Sequence, residues 1–200
     1  MRRLIYYVAA TIDGFIAGPR GEVDFFPFEG EVARAILAEY PETMPVHARG
    51  PLGVADSPAR HFDTVVMGRG TYEPALQAGI PSPYPHLRQY VVSTTLTATG
   101  ESGDVQFAAD PLRLVRELKT QDGMAIWLAG GGRLAAALLD EIDELIVKRN
   151  PIVIGSGVPM FDGLFAPTGF LPGETRSFEP GAAITTYVRG RAAGEDRTVR

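Results

Sequence analysis

The sequence predicts an α/β protein in which the strands of one sheet are joined by helical crossovers. Three observations carry this. Short apolar runs alternate along the chain with stretches of helical periodicity. Asp110-Pro111 reads as a helix N-cap followed by proline at the first helical position. Strand-like runs end in glycine-bearing turns at Asp13-Gly14, Gly68-Arg69-Gly70, Gly130-Gly131-Gly132 and Gly155-Ser156-Gly157.

Taken in order, Leu4–Ala10 is expected as a buried first strand. Glu31–Tyr40 places Val32, Ala35, Ile36 and Tyr40 on one helical face. Residues 41–60, rich in proline and glycine and weakly periodic, are expected as a long surface loop bordering the substrate, a lid in function. Thr64–Met67 and Gln89–Ser93 read as short strands, and the helix begun at Asp110-Pro111 is expected to run to about Thr120. Ala125–Ala129 is a strand and Arg133–Asp140 a short helix rich in Ala and Leu. Glu144–Lys148 and Ile152–Ile154 are further apolar runs, and Glu174–Phe178 with Ile184–Arg189 suits a terminal antiparallel pair. Gly190–Arg200 is small and charged and is expected to fray.

Two hundred residues make about one domain. The absence of cysteine excludes disulfides, thiolate metal sites and a cysteine nucleophile. A formal charge of −5 argues against a general nucleic-acid binder, which needs a basic face. The N-terminus has no cleavage-site pattern and no window is long and apolar enough for a membrane span, so a cytoplasmic protein is expected. With 23 glycines and 16 prolines the chain holds about a fifth of these residues, against ~12% on average. In an open α/β sheet ligands bind beyond the carboxyl ends of the strands, where glycine lets backbone approach a ligand closely.

Within Val65–Glu73 a strand ends, glycine turns the chain, and Arg69 is presented at a helix start with Thr71 as a candidate cap. Helix N-termini attract anions, and an adjacent arginine adds a bidentate phosphate donor, so this is a candidate phosphate subsite. The competing reading is a solvated Arg69. Trp127–Leu134 repeats the strand, glycine turn and helix, but it is not G-x-G-x-x-G, and it serves equally as tight helix–sheet packing. Asp24 is the first candidate acid and Asp13 the second; the alternatives are a solvated loop acid and an Asp-Gly turn residue. Ser93 and Thr94 offer hydroxyls to a phosphate or ribose. Phe25 and Phe26 are candidates for stacking on a planar ligand, with core or pocket wall as the competing role. His47, His61 and His86 have no metal-ligand spacing, and neither a nucleophile elbow nor a Walker loop occurs.

These motifs, T-I-D-G-F-I-A, V-D-F, M-G-R-G-T-Y-E, Y-V-V-S-T, W-L-A-G-G-G-R-L and D-E-L-I-V followed by P-I-V-I-G-S-G-V-P-M-F, span roughly residues 2–189. In this order they resemble the dihydrofolate reductase-like family. More narrowly, they resemble stand-alone proteins matching the C-terminal reductase domain of the bifunctional riboflavin-biosynthesis deaminase/reductase. The resemblance implies a three-layer α/β/α domain over residues 1–189, with a mixed, mainly parallel sheet of about eight strands, antiparallel at its C-terminal end. It also implies NADPH as hydride donor and a homodimer. Carried over by position, Ala10, Ile16 and Ala17 border the nicotinamide. Gly68, Arg69 and Thr71 hold the adenosine phosphates, helped by Ser93 and Thr94. Gly130, Gly131, Gly132, Arg133 and Leu134 wrap the pyrophosphate. A cis peptide is expected between Gly131 and Gly132 or one residue earlier. The implied activity is reduction of a small heterocyclic or phosphoribosyl-type substrate, as by a 5-amino-6-(5-phosphoribosylamino)uracil reductase. Dihydrofolate is disfavoured because Asp24 precedes the first helix instead of lying on it. A zinc deaminase half is excluded by the missing cysteines. The alternative is a non-catalytic nucleotide-binding module on the same fold.

Overall fold

A computed structural model describes residues 1–97 and 103–190. Eight strands form one sheet in the order β5-β4-β3-β6-β1-β7-β10-β9. They are β1 (Leu4–Ala10), β3 (Phe62–Gly68), β4 (Arg88–Val92), β5 (Val105–Ala108), β6 (Ala125–Gly130), β7 (Glu144–Arg149), β9 (Phe170–Phe178) and β10 (Ala182–Arg189). Pairing is parallel from β5 to β7 and antiparallel for β10 and β9. A separate antiparallel ribbon joins β2 (Phe15–Ala17) to β8 (Val158–Pro159).

Helices cover both faces, giving three layers. Alternation along each strand divides the core accordingly. Ile5 and Tyr7 of β1, Val65 and Met67 of β3 and Trp127 of β6 pack with Val32 and Ile36 of α1 (Gly30–Glu39) and Tyr72 of α3 (Arg69–Gln77). Leu4, Tyr6 and Val8, with Val66 and Leu128, meet Leu114, Val115 and Leu118 of α4 (Pro111–Thr120) and Leu134 and Ala135 of α5 (Gly132–Ala137). The Asp110 side chain caps α4 by accepting from Arg113 N at 3.1 Å, as Asp110-Pro111 predicts.

Several expectations need correction. Residues 41–60 do not form an open loop. Pro41–Thr43 make a 3-10 turn and Val46–Arg49 the short helix α2. Glu42 is fully buried and accepts from His61 N (2.7 Å) and Phe62 N (3.0 Å). Buried Arg49 donates to the carbonyls of Pro41, Ala55 and Ser57. These bonds order the segment, and Val46 N donates to Pro83 O at 2.8 Å, so it stands as a structured wall rather than an open loop. Ile152–Ile154 forms no strand, because Ile12 N donates to Ile152 O and Asp13 takes Ile154 N. β2 and β8 were not expected as strands: three and two residues carry too little periodicity to read. β5 was likewise missed, and β9 begins earlier than predicted, at Phe170. It passes through Pro172 and Gly173, which an edge strand tolerates. The predicted fraying tail lies outside the described residues from 191 on. Gly190, its first residue, donates to Gly169 O.

Candidate functional site

A cleft of about 1570 Å³ opens at the carboxyl ends of the parallel strands. Single small-molecule sites run to roughly 1,000 Å³, so this one has room for a dinucleotide and a second molecule. One end is built from two neighbouring strand-to-helix turns. β3 ends at Gly68 and β6 at Gly130, and the strands are direct neighbours in the sheet. A Cβ on Gly68 would sit 3.4 Å from both Gly130 O and Gly131 N, in ordinary contact, so the two turns lie side by side. The peptide between Gly130 and Gly131 is cis, and Gly130 has φ +119°, which glycine adopts readily. A Cβ on Gly132 would collide with the carbonyl oxygen of Pro159. Asp162 N donates to Gly132 O (3.0 Å), and Tyr6 Oη to Met160 O (2.9 Å). Gly132 is therefore a packing requirement, as the packing reading has it, while at Gly131 a Cβ would meet nothing nearer than Thr71 Oγ1 at 4.0 Å.

No side chain caps α3 at Gly68, where the first N–H groups of a helix lack intrahelical partners. Thr71 is not the cap; it lies inside the first turn and lines the cleft. Arg69 pairs with Glu73 at 2.6 Å and donates to Thr95 Oγ1 at 3.2 Å. Arg133 pairs with Asp162 at 3.0 Å. Both arginines are exposed at the cleft, and such pairs are worth only ~0–1 kcal/mol. An anion with bidentate geometry can replace the carboxylates at little cost.

Of the carried-over positions, Ile16, Ala17, Gly68, Arg69, Thr71, Gly131, Gly132, Arg133 and Leu134 all line this cleft. Ala10 does not: it is buried, and Val8 and Ala9 line the cleft in its place. Ser93 and Thr94 are also off it. Ser93 Oγ accepts from Thr95 N and Leu96 N, closing a turn, and the hydroxyl that reaches Arg69 is that of Thr95. Gly130 shapes the turn without lining the cleft.

Both candidate acids are misplaced for catalysis. Asp24 is exposed in a separate small hollow with Phe25, Ile154 and Ser156. The Asp13 carboxylate accepts from Gly155 N (2.8 Å) and Ile154 N (3.2 Å). Hydrogen bonding to Thr11 and to these backbone groups holds it below the usual carboxylate range. Of its two readings, the turn-holding one describes what it does. Phe26 and Phe28 line the cleft, while Phe25 packs against Phe26 at 4.5 Å between ring centroids.

The cleft's other end is walled by Val32, Ile36, Met44, Ala48, Leu52 and Ala182. Into this apolar wall the sheet places Lys148, with Nζ 3.8 Å from the Tyr7 ring centroid. Burial lowers its pKa to about 7. Sequence reasoning missed it, although a lysine ending the run Glu144–Lys148 was a visible signal. Among the described residues no cluster of carboxylates and histidines suited to a metal occurs, and no helix is long and apolar enough to cross a membrane.

The RibD C-terminal domain model matches residues 2–175. The chain belongs to the RibD C-terminal domain family. Within it, the chain is 32% identical over 193 residues to the Bacillus subtilis protein YwjB, covering 94% of this chain and 98% of that one. It is 25% identical over 199 residues to YyaP of the same organism, covering 93% of this chain and 94% of that one. Among solved structures, a putative riboflavin biosynthesis protein from Shewanella sp. PV-4 superposes with TM-score 0.70 at 26% identity, covering 96% of this chain and all of that one. The Thermotoga maritima diaminohydroxyphosphoribosylaminopyrimidine deaminase/5-amino-6-(5-phosphoribosylamino)uracil reductase shares the fold, with TM-score 0.61 at 14% identity. That match covers 94% of this chain and 57% of the longer protein. The sheet order, with its antiparallel C-terminal strands, is that of the RibD reductase fold.

Proposed function

We propose that this RibD C-terminal domain protein is an NADPH-dependent reductase of a small heterocyclic or phosphoribosyl-type substrate. The observation that carries the reading is the meeting of the Gly68 and Gly130 turns at backbone contact, with Arg69 and Arg133 beside them, at one end of a cleft large enough for two ligands. These residues fit a dinucleotide phosphate. Gly131 leaves space for a pyrophosphate against backbone, the first turn of α3 presents N–H groups that lack intrahelical partners, and Arg69 suits a phosphate on the adenosine. Ile16 and Ala17 give an apolar face for a ring. When bound, the cofactor supplies the hydride. The protein's part is to orient both molecules and to exclude water with the apolar wall. Arg149 at the rim can meet a phosphate on the substrate, and so can Arg20 if it leaves its exposed pair with Glu22 (2.8 Å).

The second reading, a non-catalytic nucleotide-binding module, draws on the displacement of Asp24 and Asp13 from the cleft. Two measurements decide between them. NADPH titration is expected to show tight binding with preference over NADH, weakened about tenfold or more, with the preference lost, in Arg69→Ala. Unchanged affinity and preference in that variant sink the phosphate assignment. NADPH oxidation is then followed with the pyrimidine riboflavin intermediate, dihydrofolate and simple carbonyls. Binding without oxidation of any acceptor favours the module.

A further inference from the structure

We infer that Lys148 is the catalytic proton donor of this cleft, delivering a proton from Nζ to the nitrogen or oxygen of a C=N or C=O bond as the adjoining carbon is reduced. The inference rests on the reductase reading above and deepens it, since hydride transfer to such a bond requires a proton as well.

The placement is the first argument. Lys148 lies near the carboxyl end of β7, in register with Ala9 near the carboxyl end of β1. In the sheet order β3-β6-β1-β7 it is separated from the Gly130 turn by one strand, β1. It therefore stands on the same ligand-bearing edge as the two glycine turns, but at the apolar end. Its neighbour across β10 is Ile184.

The second argument is the missing partner. The chain has two lysines. Lys119 is buried between Asp143 (2.8 Å) and Glu141, an ordinary structural ion pair. Lys148 has no carboxylate within ion-pair distance among the described residues, and its Nζ rests only on the Tyr7 ring. The groups around it do not compensate. On β1, burial pushes the Tyr7 hydroxyl well above its usual range, and at the end of α1, burial pushes Tyr40 up to about 12. Glu39 of α1 is taken by Arg176 of β9, and Glu144 of β7 by Arg3 (2.6 Å). Ala182, Ala183 and Ile184 of β10 carry no charge, and Arg149 adds only a second cation at the exposed strand end. Half-buried in the cleft wall, with no carboxylate to hold its charge, this ammonium gives up its proton near neutral pH.

The step balances as follows. The substrate carbon gains a hydride from the reduced nicotinamide, and the π pair moves onto its nitrogen or oxygen. That atom takes a proton from Nζ. The lysine is left neutral, the nicotinamide oxidised, and water returns the proton. The wall of Val32, Ile36, Met44, Ala48 and Leu52 suits a planar apolar ring carrying one such polarised bond.

The test compares the wild type with Lys148→Met and Lys148→Arg; the latter keeps a cation but does not release its proton. Single-turnover NADPH oxidation is measured with whichever acceptor of the panel the wild type reduces fastest. Both variants are expected to lose about 100-fold or more in rate with NADPH affinity unchanged. The wild-type rate is expected to fall as pH rises through about 7, and that limb disappears in both. A rate rescued by arginine, or unaltered in Lys148→Met, overturns the assignment. Independently of turnover, ¹³C-labelled lysine NMR follows two side chains. Lys148 is expected to titrate near neutral pH and to respond to NADPH, while the Lys119 signal does not respond to NADPH. An ordinary midpoint near 10.5 overturns the inference. Wild type that binds no NADPH, or oxidises it with no acceptor, overturns the reductase reading, and the proton-donor role falls with it.

Discussion

A lysine whose charge is made costly by burial has a measurable signature. Replacing Lys148 by Met keeps an unbranched apolar stem of similar length and removes the amine. In the unfolded chain the amine titrates at the ordinary 10.5; in the native cleft burial brings it to about 7. Between those values the unfolded chain binds more protons than the folded one, so wild-type stability rises with pH across that window. At ~1.4 kcal/mol per pKa unit, the wild type at pH 7 is penalised by at most about 4 kcal/mol. The penalty shrinks to about 2 kcal/mol at pH 9 and vanishes above 10.5. Water in the cleft makes 4 kcal/mol a ceiling. Lys148→Met is therefore expected to be more stable by about 2–4 kcal/mol at pH 7, with the gain roughly halved at pH 9. Urea unfolding followed through Trp127 suits the measurement. It is the only tryptophan, it is buried, and its Nε1 donates to Tyr7 O at 3.0 Å, beneath the lysine's platform. Other titrating groups are common to both proteins and cancel in the difference. A gain equal at the two pH values, or a less stable variant at pH 7, refutes the reasoning.

Two further predictions concern packing and charge. Gly132→Ala places a methyl on the Pro159 carbonyl, which is backbone and cannot rotate away. A loss of about 1–3 kcal/mol in urea unfolding is expected, and an unchanged midpoint would show that residues 157–162 do not pack as described. Asp63 faces the buried Arg2 guanidinium and also accepts from Thr64 Oγ1 (2.7 Å), Met124 N (2.9 Å) and Arg88. Burial alone would raise its pKa, but these donors outweigh it and hold the carboxyl below 3.8. Asp63→Asn is expected to cost about 3 kcal/mol at neutral pH by leaving Arg2 uncompensated. Because the native pKa is depressed, that contribution is present above 3.8 and is lost as pH falls through the native value. The gap between variant and wild type should narrow as pH falls below 3.8 through the native value, and a gap constant with pH argues that the ion pair is not its source.

Local signals located the glycine-turn end of the cleft, to which the cofactor is assigned by proposal, because that end is built from contiguous residues. Gly68-Arg69 and Gly130-Gly131-Gly132 each hold strand end, turn and helix start in a few positions, so a linear reading sees the whole device. The errors there are of one or two residues. Ala10 yields to Val8 and Ala9, and Ser93 and Thr94 to Thr95, whose hydroxyl reaches Arg69 while Ser93 closes a turn. The substrate end was illegible for the opposite reason. Its wall draws Val32 and Ile36 from α1, Met44 and Ala48 from the segment read as a loop, and Ala182 from β10. Asp24, which looked suitable in sequence, is turned into another hollow.

The sequence by itself determined the α/β alternation, the glycine turns and the family, because periodicity, capping and backbone freedom are properties of short stretches. Only the tertiary structure decided that buried Glu42 and Arg49 order residues 41–60 as a wall, that Asp13 holds a turn, and that Lys148 stands over Tyr7 with no carboxylate partner among the described residues. The physical reason is that burial and partnership are set by segments far apart in the chain. A lysine's charge is stable or costly according to what the sheet places around it.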